Sequence, residues 1–449
     1  MKRFIFLVVV CHCVIAKAFV PDGGAKPLQA PFANDLFTSF IYEKVPTADL
    51  RTFDWDFEFQ SAGFQPWNGS YWPTHKGIIA SRFADPGWPD SKDWQTNYNY
   101  YMSHSPADVL AAGQIDSLSP AEKYDLLSGD SAWTLTAAMW KKGQDILGTF
   151  GAVPTWFGIC HGWSAANHMR VPEAKHPVTV TSADGLHSIV FFPSDIEALV
   201  SYLWAESPPT SVFLGARCET SHPKEDAGHV TDPACFDSNP ATWHLSVLNR
   251  VGRDRLSLVM DSSAGAEVWN YAVDSYVFRY FDPVTLKPGM TLADAAVPIA
   301  EYYSDPFTAY RSPGTAYVVG VAMNVFMPAA TEPTHYSPSA ERLIKVKSFI
   351  YDLELDASFN AIGGEWRSKE RPDFIWTFKT GTAPWTVQDG QAAGTWDARG
   401  QLPDGWAQLA RDGSVRGKIM AKITNALVER AAAPEVPVPA RANSARSFR

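Results

Sequence analysis

One cysteine of the sequence lies in a setting that favours a reactive thiol. Cys160 belongs to the segment Gly158–Trp163 and precedes a stretch of small residues that predicts a helix. A cysteine in the first turn of a helix lies near unpaired N–H groups and the positive end of the helix dipole, and both favour thiolate over thiol. Gly158 and Gly162 predict a backbone that is open to an approaching acyl group. Cys160 is therefore a candidate nucleophile, and the alternative is a buried, inert thiol.

A histidine and an aspartate downstream are candidates to complete a catalytic triad. The segments 242–248 and 256–261 both predict strands, and a hairpin between them pairs His244 with Asp261, about 5 Å apart at the β-carbons. Asp261 would then orient the imidazole, and His244 would accept the proton of Cys160. The alternative is that His244 is a satisfied strand histidine and Asp261 an acid that caps a turn.

The N-terminus predicts secretion, which changes how the cysteines are interpreted. A basic start, the apolar stretch Phe4–Ile15 and an A-x-A site ending at Ala18 are typical of a signal peptide. Cys160, Cys218 and Cys235 then remain, an odd number in an oxidising compartment. A Cys218–Cys235 disulfide is the simplest pairing; it would stabilise the fold by roughly 3 kcal/mol and would leave Cys160 free.

The secreted chain also carries one sequon. Asn68 begins the sequence Asn-Gly-Ser, which predicts N-glycosylation in a surface loop.

Composition and charge narrow the possible partners. Hydrophobic residues make up 46% of the chain and charged residues 19%, which is typical of a packed globular protein. The formal net charge of -10 argues against nucleic acid and favours cationic partners, such as lysine-bearing proteins or calcium. The sequence has no apolar run after the first 20 residues that could span a membrane, and no zinc-protease or nucleotide-binding motif. The alternation of Asp54, Asp56 and Glu58 with aromatic residues predicts an edge strand or a calcium site.

Capping motifs and periodicity predict a mixed chain. The capping boxes Ser119–Glu122 and Ser194–Glu197 predict helix starts, and an apolar face follows the second one. Strands are predicted between 243 and about 278, over 315–327 and over 343–355.

Several motifs together resemble a known family. They are Gly158–Trp163, Asn239–Leu245, Val259–Asp261 with Glu267–Asn270, Gly63–Trp67 with Tyr71–Pro73, Leu118–Leu127, and Gly363–Trp366 with Pro372–Phe374. These stretches resemble the secreted transglutaminase elicitors of oomycetes over about residues 45 to 380. The resemblance implies a calcium-dependent protein-glutamine γ-glutamyltransferase that acts on Gln and Lys side chains of proteins. It also implies Cys160 as nucleophile, His244 as base and Asp261 as orienting acid.

The resemblance implies an α+β fold with a cysteine-protease-like core, in which a helix carrying the nucleophile packs on an antiparallel sheet. Recognition by host surface receptors is a further implication, since the family contains a surface peptide that plants detect. The equivalent segment here is Val268–Val273, in which Tyr271 and Ala272 replace a Gln-Pro pair and the following Asp274 replaces a basic residue. A papain-like cysteine protease is one alternative, because the triad alone does not determine whether an amine or water attacks the thioester. A non-catalytic recognition protein is the other alternative.

Four tryptophans surround the motifs and could line a dry channel for the acceptor amine, although some of the seventeen in the chain must be core residues. They are Trp156, Trp163, Trp243 and Trp269. The backbone N–H of Cys160 is a candidate oxyanion donor, and the Trp156 indole is a candidate second donor.

The organisation that follows has five parts. They are a signal peptide at 1–18, a prosegment or strap at 19–50, a catalytic domain at 51–390, a C-terminal part of the core at 391–430, and a disordered basic tail at 431–449.

Overall fold

The computed structural model describes residues 40–53, 60–215, 217, 224–226, 229–232, 238–263, 265–335 and 342–433. Several sequence predictions fall outside these residues. They are the signal peptide, the acidic run at Asp54, Asp56 and Glu58, and the pair Cys218 and Cys235. In the part of the chain that is described, no helix has the length and apolar character that a membrane span requires.

The described chain is an α+β protein. Its α-helices are α1 (Trp94–Ser103), α2 (Pro106–Ala111), α3 (Pro120–Ser128), α4 (Thr134–Phe150), α5 (Cys160–His168), α6 (Pro193–Glu206), α7 (Pro240–Ser246), α8 (Leu292–Ala295), α9 (Val387–Gln391), α10 (Trp406–Ser414) and α11 (Ala421–Ala432). Its strands are β1 (Gln60–Ser61), β2 (Val178–Thr181), β3 (Ser188–Phe191), β4 (Ser211–Gly215), β5 (Glu225–Asp226), β6 (His229–Val230), β7 (Leu258–Asp261), β8 (Asn270–Val273), β9 (Ser275–Phe281), β10 (Val297–Pro298), β11 (Tyr317–Pro328), β12 (Ile344–Leu355), β13 (Ala361–Trp366) and β14 (Phe374–Phe378).

Two antiparallel sheets organise these elements. The larger sheet has the order β1-β9-β11-β12-β13, with β10 paired to β11, and the smaller has the order β4-β14-β7-β8. The long strands β11 and β12 pair over their full length, from Tyr317 opposite Leu355 to Pro328 opposite Ile344. The helix that begins at Cys160, α5, packs on β8 and on α6. The expectation of a nucleophile-bearing helix on an antiparallel sheet is confirmed in this respect.

The predicted helix starts agree with the structure in one case and differ slightly in the other. Ser119 and Glu122 form a reciprocal capping box at the start of α3. Helix α6 begins at Pro193, and the carboxylate of Asp195 accepts a hydrogen bond from the backbone N–H of Phe192 at 2.8 Å. Ser194 therefore lies inside the first turn, where the fixed φ of the preceding proline is well suited to a helix start. The predicted apolar face of α6 is fully buried.

The predicted hairpin between residues 242 and 261 is wrong. Asn239 caps α7 by accepting a hydrogen bond from the N–H of Ala241 at 2.9 Å, and Pro240 occupies the first helical position. A π-helix, Val247–Arg253, follows and leads to β7. His244 is consequently a helix residue, and β7 pairs with β8 and β14 instead.

The ends of the described chain are attached to the core. The backbone N–H groups of Glu43 and Lys44 bond to the Asp254 carboxylate, and Phe40 is buried. Residues 40–53 therefore form an ordered strap along the π-helix, and removal of a prosegment stays a prediction. At the other end, α11 extends through Ala432, two residues into the predicted tail.

Candidate active site

Helix α5 presents the sulfur of Cys160 at its N-terminal end. The preceding residue, Ile159, donates its N–H to the carbonyl of Tyr71 at 2.8 Å, which fixes the entry of the chain into the helix. One turn later, Ser164 Oγ donates to the carbonyl of Asn270 at 2.6 Å. Cys160 and Ser164 lie four positions apart and share one helix face. The serine therefore holds the face that carries the thiol against the start of β8.

The β7–β8 pair brings two polar side chains to this face. Asp261 and Asn270 are direct cross-strand partners, and such partners point to the same side of a sheet. The amide Nδ2 of Asn270 lies 3.8 Å from the Cys160 sulfur. Trp376 Nε1 donates to Asn270 Oδ1 at 2.8 Å, which fixes the amide with its donor toward the sulfur. The sequence motifs included Asn270 but gave no reason to assign it a role.

Asp261 is buried with only one of its two oxygens satisfied. Oδ1 accepts hydrogen bonds from the N–H groups of Trp269 and Ser263 and from the Ser263 hydroxyl. Among the described residues, Oδ2 has no hydrogen-bond partner. Burial raises the pKa of Asp261 to about 7, whereas these hydrogen bonds and the charge of Arg217 act to lower it. A carboxylate with this pKa can take up and release a proton near neutral pH.

Opposing effects also act on the pKa of the Cys160 thiol. Burial raises the pKa of Cys160, and hydrogen bonds from the backbone and side chain of Asn270 oppose the rise. The charge of Asp261 also raises the pKa of Cys160, so the carboxylate lies within electrostatic range of the sulfur. Tyr71 and Trp269 form an edge-to-face pair at 5.2 Å. Burial is the main cause that raises the pKa of Tyr71 to about 12, and the charge of Cys160 contributes to the rise.

His244 lies in a different environment, and its contacts do not include Cys160 or Asp261. Its Nδ1 is 2.7 Å from the hydroxyl of Tyr351, and its ring packs edge-to-face against Phe278 and Tyr351 of the larger sheet. Within the described chain its Nε2 has no hydrogen-bond partner. Burial lowers the pKa of His244 to about 3, so the imidazole is neutral at physiological pH. Asp261 therefore lies within electrostatic range of Cys160, whereas the contacts of His244 are with the aromatic residues Phe278 and Tyr351.

We expect His244→Gln to weaken the fold and to spare the thiol. The substitution removes one hydrogen-bond partner of the buried Tyr351 hydroxyl, which also lies 3.7 Å from Met323 Sδ, and this costs about 1–3 kcal/mol. Urea denaturation should show this loss, while the rate at which iodoacetamide alkylates Cys160 in the folded protein should stay within about threefold. Tyr351→Phe breaks the same hydrogen bond and is the matched control. A hundredfold loss of alkylation in His244→Gln alone would place the imidazole in the reaction.

The four candidate channel tryptophans divide into two pairs. Trp163 and Trp243 are 1% and 0% exposed and are core residues, which corrects their assignment to a channel. Trp269 is half-buried and packs on Tyr71, whose hydroxyl lies within electrostatic range of Cys160. Trp156 is half-buried as well, with the guanidinium of Arg217 lying 5.7 Å from its ring centre.

The glycines around Cys160 serve packing, which corrects their predicted role as an opening. A β-carbon on Gly158 would lie 2.5 Å from the carbonyl oxygen of Tyr71. On Gly162 it would lie 2.0 Å from the carbonyl oxygen of Ser201 in α6. Both positions need glycine because the backbone of a neighbouring segment approaches too closely for a side chain to fit. Neither therefore leaves space for an acyl group.

The predicted sequon does not lie in an exposed loop. The side-chain amide of Asn68 donates to the carbonyls of Ala329 and Leu343 at 2.9 and 2.6 Å and accepts the N–H of Leu343. Gly69 and Ser70 are buried. A glycan would displace these two donated hydrogen bonds, so glycosylation of Asn68 stays a prediction without support from the fold.

The segment that corresponds to the plant-detected peptide lies next to the sulfur. The carbonyl of Val268 is 3.8 Å from Cys160 Sγ, and Asn270 to Val273 form the buried strand β8. Burial of this strand places most of the segment out of reach of a receptor in the folded protein.

The described residues show no cluster of metal-ligating side chains. No three His, Cys, Asp or Glu side chains among them come together in a group that could hold a metal ion. The three acidic candidates from the sequence lie outside these residues, and calcium binding stays a prediction.

The sequence matches the family described as Transglutaminase elicitor over residues 50–390, and the chain belongs to that family. The fold is similar to the crystal structure of the GP42 transglutaminase from Phytophthora sojae, with a TM-score of 0.55 and 21% identity over 89% of this chain and 96% of that one. At this identity the likeness concerns the fold and not the roles of residues. No curated protein matches the chain. The resemblance drawn from the sequence motifs is thereby confirmed.

Proposed function

We propose that this protein is a secreted transglutaminase that joins Gln and Lys side chains of proteins through a thioester on Cys160. The observation that carries the proposal is the buried Asp261 carboxylate, whose Oδ2 is unsatisfied and whose charge acts on the Cys160 thiol. Family membership supports the same chemistry. The proposal replaces the expected His244 with Asp261 as the base, because the imidazole lies in the aromatic pocket with Tyr351.

The first half-reaction forms the thioester. Asp261 accepts the proton of Cys160, and the thiolate attacks the carbon of a glutamine carboxamide, so that a C–S bond forms. The C–N bond then breaks, and ammonia leaves with the proton that Asp261 returns. Asn270 Nδ2, held by Trp376, lies beside the sulfur and would stabilise the negative charge on sulfur or on the carboxamide oxygen.

The second half-reaction transfers the acyl group to an amine. A neutral lysine amine attacks the thioester carbon and loses a proton to Asp261. The C–S bond breaks, and the departing thiolate takes that proton back. Aminolysis prevails over hydrolysis only where water is kept from the thioester. The aromatic pair of Tyr71 and Trp269, of which Tyr71 lies within electrostatic range of Cys160, would be suited to this exclusion.

A non-catalytic recognition protein is the second candidate. It is favoured by burial of Cys160, a residue that is 5% exposed and whose thiol pKa is raised by that burial. In that case Cys160 would remain a thiol that reacts slowly even with small alkylating agents. Calcium dependence and secretion belong to the proposal as well, and they rest on the family and the N-terminal sequence.

Amine incorporation tests the proposal. We expect the mature protein to attach a labelled primary amine to casein and Cys160→Ala to attach none above background, because the thioester cannot form. Assays with calcium and with a chelator test the metal dependence separately. Release of casein peptides without amine uptake would indicate a cysteine protease. Absence of both activities, together with unreactive Cys160, would favour the recognition protein.

A further inference from the structure

A lysine from the other sheet enters the site. Lys345 is the second residue of β12 and lies opposite Met327 of β11. Its ammonium nitrogen is 3.9 Å from the ring centre of Tyr271, the residue of β8 that follows Asn270. The Tyr271 ring packs in turn against Trp163 of the nucleophile helix at 5.8 Å. The chain thus places a half-buried cation against Tyr271, the neighbour along β8 of Asn270, whose amide lies 3.8 Å from the sulfur.

The charges facing this ammonium have both signs. Burial lowers the pKa of Lys345 to about 8, and the neighbouring Lys347 lowers it further. The negative charges that oppose this fall, in decreasing order, belong to Asp261, Cys160 and Glu370. A pKa of about 8 leaves the amine mostly protonated at neutral pH.

From this arrangement we propose that Lys345 is a positioning residue that favours the thiolate of Cys160, the role of imidazolium in thiol enzymes that use histidine. Electrostatic coupling is reciprocal: a thiolate that favours the ammonium is favoured by it to the same extent. The inference rests on the proposed function for its meaning in catalysis, but the effect on the thiol stands independently. Lys345 itself transfers no proton in this scheme.

The coupling has a distinct dependence on pH. Below about pH 8 Lys345 carries its charge and assists thiolate formation, and above about pH 9 it is neutral and the assistance ends. The ionisable groups that face Cys160 itself are Asp261, Tyr71, Tyr271 and Lys345. Both tyrosines stay neutral through this range because burial raises their pKa values.

The test is the rate of iodoacetamide alkylation of Cys160, followed by mass spectrometry of its peptide between pH 6 and 10. We expect Lys345→Met to react about tenfold more slowly at pH 7 and at nearly the wild-type rate above pH 9. Lys345→Arg should retain the wild-type rate at pH 7 and should stay fast above pH 9, because guanidinium keeps its charge. Lys345→Gln provides a second neutral variant in case the methionine protein does not fold.

Lys347→Met is the matched control, since Lys347 lies two residues further on the same strand and pairs with Glu370. Its alkylation rate at pH 7 should match that of the wild type, whereas the fall of the assistance should move to higher pH, because Lys347 lowers the pKa of Lys345. Identical profiles for the wild type and both neutral Lys345 variants would overturn the inference, and so would a wild-type Cys160 that no pH makes reactive. A Lys345-dependent profile in a protein that incorporates no amine would overturn the proposed transglutaminase but not this inference.

Discussion

Asp261→Asn is expected to lower amine incorporation by about 10²–10⁴-fold, the range for loss of a general acid–base group. Asparagine keeps the shape of the side chain and an oxygen to accept the N–H groups of Trp269 and Ser263. It cannot accept the proton of Cys160. The defect should therefore appear in turnover and in alkylation of Cys160 near pH 7, with the fold intact.

The pH profile gives the same prediction a second measurement. Because burial raises the pKa of Asp261 to about 7, wild-type activity should fall about tenfold per unit below pH 7 as the carboxylate becomes protonated. This acid limb should be absent in Asp261→Asn. The stability effect has the opposite direction. A carboxyl with a raised folded-state pKa binds extra protons when folded, so it makes the native state less stable as pH rises from about 4 to 7. Asparagine removes that penalty.

Asp125→Asn is the matched control for both measurements. Burial raises the pKa of Asp125 to about 7 as well, and its carboxylate accepts the N–H groups of Leu135 and Thr136 at the start of α4. Its substitution should lower stability and leave turnover per folded molecule within about threefold. If Asp261→Asn retained wild-type activity, the carboxylate would have no part in proton transfer.

Two features of the candidate site could be predicted from the sequence, because the residues next to them along the chain determine their secondary structure. Cys160 does begin a helix, and Asp261 does end a strand. The error at His244 had a local cause. Residues 242–248 have the apolar content of a buried strand, and a short fully buried helix shows no periodicity that would distinguish it. The Asn239-Pro240 start signal before it was present in the sequence and indicated a helix.

Lys345 and Asn270 could not have been found in the same way. Lys345 lies 185 positions after Cys160, on strand β12, and only the packing of β12 near β8 brings it to the site. Asn270 is close to Asp261 in the sequence, but it could be placed opposite Asp261 only if the pairing of β7 with β8 were known. The partner with which a strand pairs determines which residues face each other across the two strands. A wrongly predicted partner therefore makes every predicted cross-strand neighbour wrong. The wrong hairpin therefore paired His244 with Asp261 and concealed Asn270, the side chain that lies 3.8 Å from the sulfur.

Gly162→Ala is expected to be the most destabilising conservative change near the site, at about 2–4 kcal/mol. The new β-carbon would lie 2.0 Å from the carbonyl oxygen of Ser201 and 2.8 Å from the β-carbon of Ala205. Because the closest atom is backbone, no rotamer change relieves the clash, and α5 must move away from α6. Cys160 lies two residues earlier on α5, so its contact with Asn270 should weaken as well.

Gly148→Ala separates this packing effect from helix propensity. Gly148 lies in α4, and a β-carbon there would meet no heavy atom within 4 Å, so alanine should stabilise the protein by about 0.5–1 kcal/mol. Urea denaturation should move the two midpoints in opposite directions. Adding Ala205→Gly to Gly162→Ala should restore little, because the Ser201 carbonyl remains in place. Full rescue by that second change, or wild-type stability of Gly162→Ala, would mean that the two helices are further apart than this packing requires.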